Sequence, residues 1–173
     1  QPLYAGGKII TANKMANVGV EMAGMSYNLK YSEVIELTDK AFWSVAMVEA
    51  NINLAEKYIE MLDETEELMT SMYELGLQPA SEKLKVTVQK NEAELQLMVI
   101  RNNLKIAKMN LNQVLGHSLN EPVIISYDSL LSPNLIDFSE GVNMALVNRN
   151  ELKLLKKQVT LSELDKRMIQ GDY

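Results

Sequence analysis

Few side chains in this sequence are of types that could do chemistry, and their spacing limits what that chemistry is. The one histidine, His117, follows Gly116 and has no cysteine, no second histidine and no spaced carboxylate pair to complete a metal site, so a surface position is expected. Eleven methionines fall at helical spacing, which favours core filling over a thioether metal relay. Glu60, Asp63, Glu64, Glu67 and Glu74 share one helical face opposite a broad apolar one; such a face either draws cations or is simply solvated. Phe42 and Trp43 read as packing residues within a helix. No nucleophile stands beside a base, no loop would cradle phosphate, and no carboxylate pair has a reason to be buried. No catalytic residue, cofactor or metal is therefore implied, and an enzyme is not expected.

Composition narrows the class further. A net charge of −6 makes nucleic acid an unfavourable partner, because phosphate binding needs clustered Lys and Arg. With no cysteine there is neither a disulfide framework nor a thiolate site. No run of about 18 apolar residues occurs, so no helix is long and apolar enough to span a bilayer. The chain opens on Gln1 rather than Met and reads as an excised or processed segment.

The elements that carry these residues are long. From Lys8 to Leu75 there is no proline, and between Gly24 and Gly76 no glycine, so one helix is expected over 8–75. At about 1.5 Å per residue it would reach roughly 100 Å. Its apolar residues form two heptad seams. One is Val48, Ile52, Ala55, Ile59, Leu62, Met69 and Tyr73, interrupted by Glu66; the other is Tyr58, Met61, Leu68, Met72 and Leu75, interrupted by Thr65. One seam serves one partner helix, so two seams require a neighbour on each side. Nearer the start, a small stripe (Ala12, Ala16, Gly19, Ala23, Ser26) flanks a large one (Met15, Val18, Met22, Met25, Leu29), inviting close backbone approach.

Gly76 caps the first helix, and Pro79, Ser81 and Glu82 suit the start of a second over 79–115, which Gly116 stops. The second helix also has two seams. Val86, Ala93, Leu97, Ile100, Leu104, Ala107, Leu111 and Val114 form one, with Lys90 the exception, while Leu84, Val88, Leu95, Met98, Ile106 and Met109 form the other. A linker over 117–138 contains a β-branched run, Val123 to Tyr127, with the makings of one short strand. A third helix is expected over 139–170, with Ala145, Leu152, Leu155, Val159 and Ile169 against Val147, Leu154, Leu161 and Met168. The second and third helices together match the first in length. The expectation is an all-α, single elongated domain over 1–173: a long antiparallel coiled-coil hairpin, the third helix stacked end to end on the returning one, and an irregular or β linker at the waist.

Four segments in this order resemble the TolC family of outer-membrane efflux proteins. QPLYAGGK at the start is similar to the family's QPLFDGG, with Tyr4 for Phe and Ala5 for Asp. YELGLQPASEKL resembles the family's hairpin tip, LNQVLG at Leu111 to Gly116 its L-x-x-L-x-G, and ALVNRNELKLLKKQV the opening of its second repeat, with Asn150 where proline is usual. The resemblance implies one helical repeat from the periplasmic tube of a trimeric conduit, whose membrane β-barrel is absent from this chain. It implies export of small molecules or proteins, docking of a periplasmic adaptor protein and an inner-membrane transporter, and location at the outer membrane with this portion in the periplasm. By the same resemblance Leu75, Gly76, Leu77, Gln78 and Pro79 form the docking tip; in such a conduit the face of Glu60, Asp63, Glu64, Glu67 and Glu74 is either an acidic lining near the periplasmic mouth or an ordinary solvated face. The rival reading is a structural or sensory coiled-coil module.

Overall fold

The computed structural model describes residues 6–126 and 141–170, and every regular element among them is helical. These are α1 (Lys8–Glu74, 67 residues), α2 (Ala80–Leu115, 36 residues), α3 (Gly141–Asn148) and α4 (Asn150–Gln170). The protein is all-α, as heptad patterning over most of the chain requires. Two expected elements differ. The third helix is divided, with Arg149 outside both α3 and α4. The Arg149 N–H still donates to Ala145 O at 2.9 Å, but that of Lys153 reaches Arg149 O only at 3.3 Å. Asn148 and Asn150 bracket the break, and asparagine is a poor helix former because its amide competes for backbone groups. Residues 139 and 140 lie outside the described residues. The second difference is in the linker: Val123 to Ser126 is irregular, not a strand, because a lone β-branched run has no ladder partner. Tyr127 and the rest of the linker to 138 lie outside the described residues.

The chain divides into two compact units, Gln1–Ile35 with Ser132–Tyr173, and Glu36–Leu131. In the second unit, four α1–α2 ion pairs define how the helices run. Glu49 meets Lys108 at 3.0 Å, Glu56 meets Arg101 at 2.9 Å, and Asp63 and Glu66 meet Lys90 at 2.5 and 3.2 Å. Partner numbers fall on α2 as they rise on α1, so the helices are antiparallel. Between these pairs lies one seam from each helix. Leu62, Ala93, Leu97, Ala107 and Leu111 are buried, with Ile52, Ile59, Ile100 and Leu104 half-buried beside them. The other seam of each helix is mostly exposed, with only Met72 on α1 and Met109 on α2 half-buried. At the end away from the α1–α2 turn, Val45, Ala107 and Leu111 form a core joined by Phe42, Val123 and Ile125, so the linker packs back over the helix pair.

In the first unit the large stripe of α1 is the covered one: Val18 is buried and Met15, Met22, Met25 and Leu29 are half-buried. On α4 the matching row is Leu154, Lys157, Leu161, Leu164 and Met168, of which only Leu164 is fully buried. Lys157 reaches across to Glu21. The close approach expected at the small stripe is not found within this unit, since a Cβ built on Gly19 or Gly24 would meet nothing within 4 Å.

Candidate functional site

The turn between α1 and α2 is closed by its own backbone. Gly76 takes φ 71°, the left-handed region that glycine enters without a Cβ clash. The Gly76 N–H donates to Tyr73 O at 2.9 Å and the Leu77 N–H to Met72 O at 2.9 Å, the paired bonds of a Schellman motif. Pro79 follows with ψ 151°, extended, as the N-cap of α2. It therefore precedes the helix rather than occupying its first turn. With the chain held this way, Leu75 and Leu77 are left 73% and 68% exposed. Two large apolar side chains thus stand in water on a backbone that needs no partner to close.

The acidic residues do not all share one environment. Glu60, Glu64, Glu67 and Glu74 are exposed, whereas Asp63 is half-buried against Lys90. Lys90 also bonds Glu66, whose other carboxylate oxygen accepts from the Thr87 hydroxyl at 2.6 Å. The Thr87 hydroxyl and then Lys90 hold the Glu66 carboxyl below its ordinary value of 4.5, and Asp63 and Glu66 raise Lys90 above 10.5. These residues fill the two interruptions of the inner seams with opposite charges. Pairing these half-exposed charges across the helices favours this register of α1 against α2.

No protein-family model, curated protein or solved structure matches the chain. The resemblance to the TolC family rests on the sequence motifs.

At the other end of α2, Gly116 at φ 75° makes a second closure of the same kind, with Gly116 N–H to Gln113 O at 3.2 Å and His117 N–H to Asn112 O at 2.9 Å. Asn112 itself is fully buried. Its Nδ2 donates to Leu119 O at 3.3 Å and Glu121 O at 2.8 Å, clamping the strap that returns over the helices, while Oδ1 has no partner among the described residues. Sequence reasoning missed this residue; its one signal is an asparagine beside Leu111 at the covered face. His117 is exposed, 3.8 Å from Glu121, and no group of three metal-ligating side chains occurs among the described residues. Phe42 joins the core and meets Trp43 edge to face at 5.4 Å.

The charge cluster has a consequence in acid. A carboxylate whose folded pKa is depressed contributes stability above its unfolded pKa, and that contribution is lost as pH falls through the folded value. For Lys90 the sign reverses: its contribution is present below about 10.5 and lost as pH rises beyond the raised value. The thermal midpoint should therefore decline on acidification below about pH 4.5. Glu66→Gln, which can still accept from Thr87, should start lower at neutral pH and show a shallower acid decline. Melting followed by circular dichroism between about pH 3 and pH 7 checks this, and parallel acid limbs in the two proteins would refute it.

Proposed function

We propose that this chain is the periplasmic helical-tube portion of an outer-membrane efflux conduit, trimeric in the full-length protein and anchored by a β-barrel outside this chain. In this reading α1 and α2 are a long antiparallel coiled-coil hairpin, with α3 and α4 continuing the line of the returning helix. Its tip docks a periplasmic adaptor and, through it, an inner-membrane transporter, for export of small molecules or proteins. Glu60, Glu64, Glu67 and Glu74 would line the mouth and favour cations.

One observation carries the reading: Leu75 and Leu77 stand exposed on a turn that is already closed by its own hydrogen bonds. An apolar pair held out at an exposed turn is a contact surface waiting for a partner, since burying each such side chain is worth about 1.5–3 kcal/mol. The mostly exposed second seam on both α1 and α2 agrees with a wall in which each helix has a neighbour on either side. In the full-length protein, Leu77→Asp should abolish adaptor-dependent export while leaving folding and trimer assembly intact. Export at normal levels in that variant would end the docking role and favour a structural or sensory coiled-coil module.

A further inference from the structure

Between α2 and the strap lies a cleft of about 390 Å³, within the size range of small-ligand sites. Arg101, Lys105 and Lys108 line one side of it, spaced by four and three residues so that they share a face of α2. Leu104 and Val123 supply apolar surface, and Glu121 lies on the strap side. The three cations are not equivalent. Arg101 is held by Glu56 and Lys108 by Glu49, whereas Lys105 has no hydrogen bond or ion pair among the described residues. The strap wall is fixed in advance by the Asn112 amide on the carbonyls of Leu119 and Glu121 and by Val123 in the core.

We propose that this cleft binds a small amphiphilic monocarboxylate, with the carboxylate on the Lys105 ammonium and the alkyl chain over Leu104 and Val123. One uncompensated cation in a partly apolar cleft calls for one negative charge on an apolar body. Because its neighbours are already neutralised and Glu121 is anionic, a second negative charge on the ligand is repelled, so the site discriminates against dicarboxylates.

Calorimetric titration of the chain with octanoate, octan-1-ol and octanedioate tests this. Octanoate should bind saturably, with the alcohol and the diacid at least about tenfold weaker. Lys105→Met, which keeps the alkyl stem of an exposed residue, should weaken octanoate about tenfold, the loss expected for one charge-assisted hydrogen bond. Lys14→Met, at an exposed lysine outside the cleft, should leave binding unchanged. Absence of saturable octanoate binding, equal affinity for the alcohol or diacid, unchanged affinity in Lys105→Met, or an equal loss in Lys14→Met would each overturn the assignment.

Discussion

At micromolar concentration the chain should sediment as dimers or larger assemblies. The reason lies in the second unit, where each helix buries one seam and leaves the other mostly in water. On α2 the bare row is Leu84, Val88, Leu95, Met98 and Ile106, each more than half exposed (62, 54, 58, 62 and 56%). On α1 it includes Leu54, Tyr58, Met61 and Leu68. A soluble monomer seldom leaves so long a contiguous apolar stripe uncovered. A lateral contact covering eight such side chains gains roughly 12–24 kcal/mol gross at about 1.5–3 kcal/mol each. Association costs about 4–15 kcal/mol, so micromolar affinity, which needs about 8 kcal/mol, is reached toward the upper end of that gain. The double variant Leu95→Lys with Met98→Glu should be monomeric with unchanged helicity, since both side chains are more than half exposed. A wild-type chain that remains monomeric at about 100 µM would show that the bare rows need no neighbour, and would favour the spacer or sensor reading.

Replacing Asn112 should loosen the strap without unfolding the helices. Asn112→Ala removes two donors and leaves the carbonyls of Leu119 and Glu121 without them, a cost of about 2 kcal/mol. For a chain of this size the melting midpoint should fall by roughly 4–8 °C. Asn112→Asp is the sharper test because it keeps the shape but turns a carboxylate toward two carbonyl oxygens. At neutral pH it should cost more than alanine, and part of that loss should return in acid, where a protonated carboxyl can donate one bond. Hydrogen exchange reads the location: the amide of Glu121, which donates to Ser118 O at 3.0 Å, should lose protection while those of the α1–α2 seam keep theirs. An Asp variant as stable as the parent would mean that the clamp contributes nothing.

The all-α class was legible because seams spaced by threes and fours persist over most of the chain, and glycine marks the C-terminal ends of both α1 and α2. The pairing of Glu66 with Lys90 was missed, because each residue taken alone reads only as a flaw in its seam. Opposite charges interrupting two otherwise apolar rows are a reason to set those rows face to face. Leu164 escaped notice because it belongs to neither seam drawn for the third helix; a row through Leu161, Leu164 and Met168 has the same three-and-four spacing. The break at Arg149 lacks the usual glycine or proline, and two asparagines are a weak signal beside strong heptads. Asn112 was hidden for a different reason: its partners are backbone carbonyls seven and nine residues on, and such bonds leave no trace in side-chain patterning.

The ion pairs between α1 and α2 also bear on how such a hairpin can vary in length. Each pair, Glu49 with Lys108, Glu56 with Arg101 and Glu66 with Lys90, sits at a matched distance from the turn's midpoint at residues 78–79. A deletion or insertion in one arm would slide every pair beyond it out of step and rotate the remaining seam off its partner. Only changes made in whole heptads, and mirrored on the opposite arm at the same height, preserve both the charges and the apolar contact. Descendants of this gene should therefore differ in hairpin length by paired seven-residue steps, with the turn itself carried along unchanged.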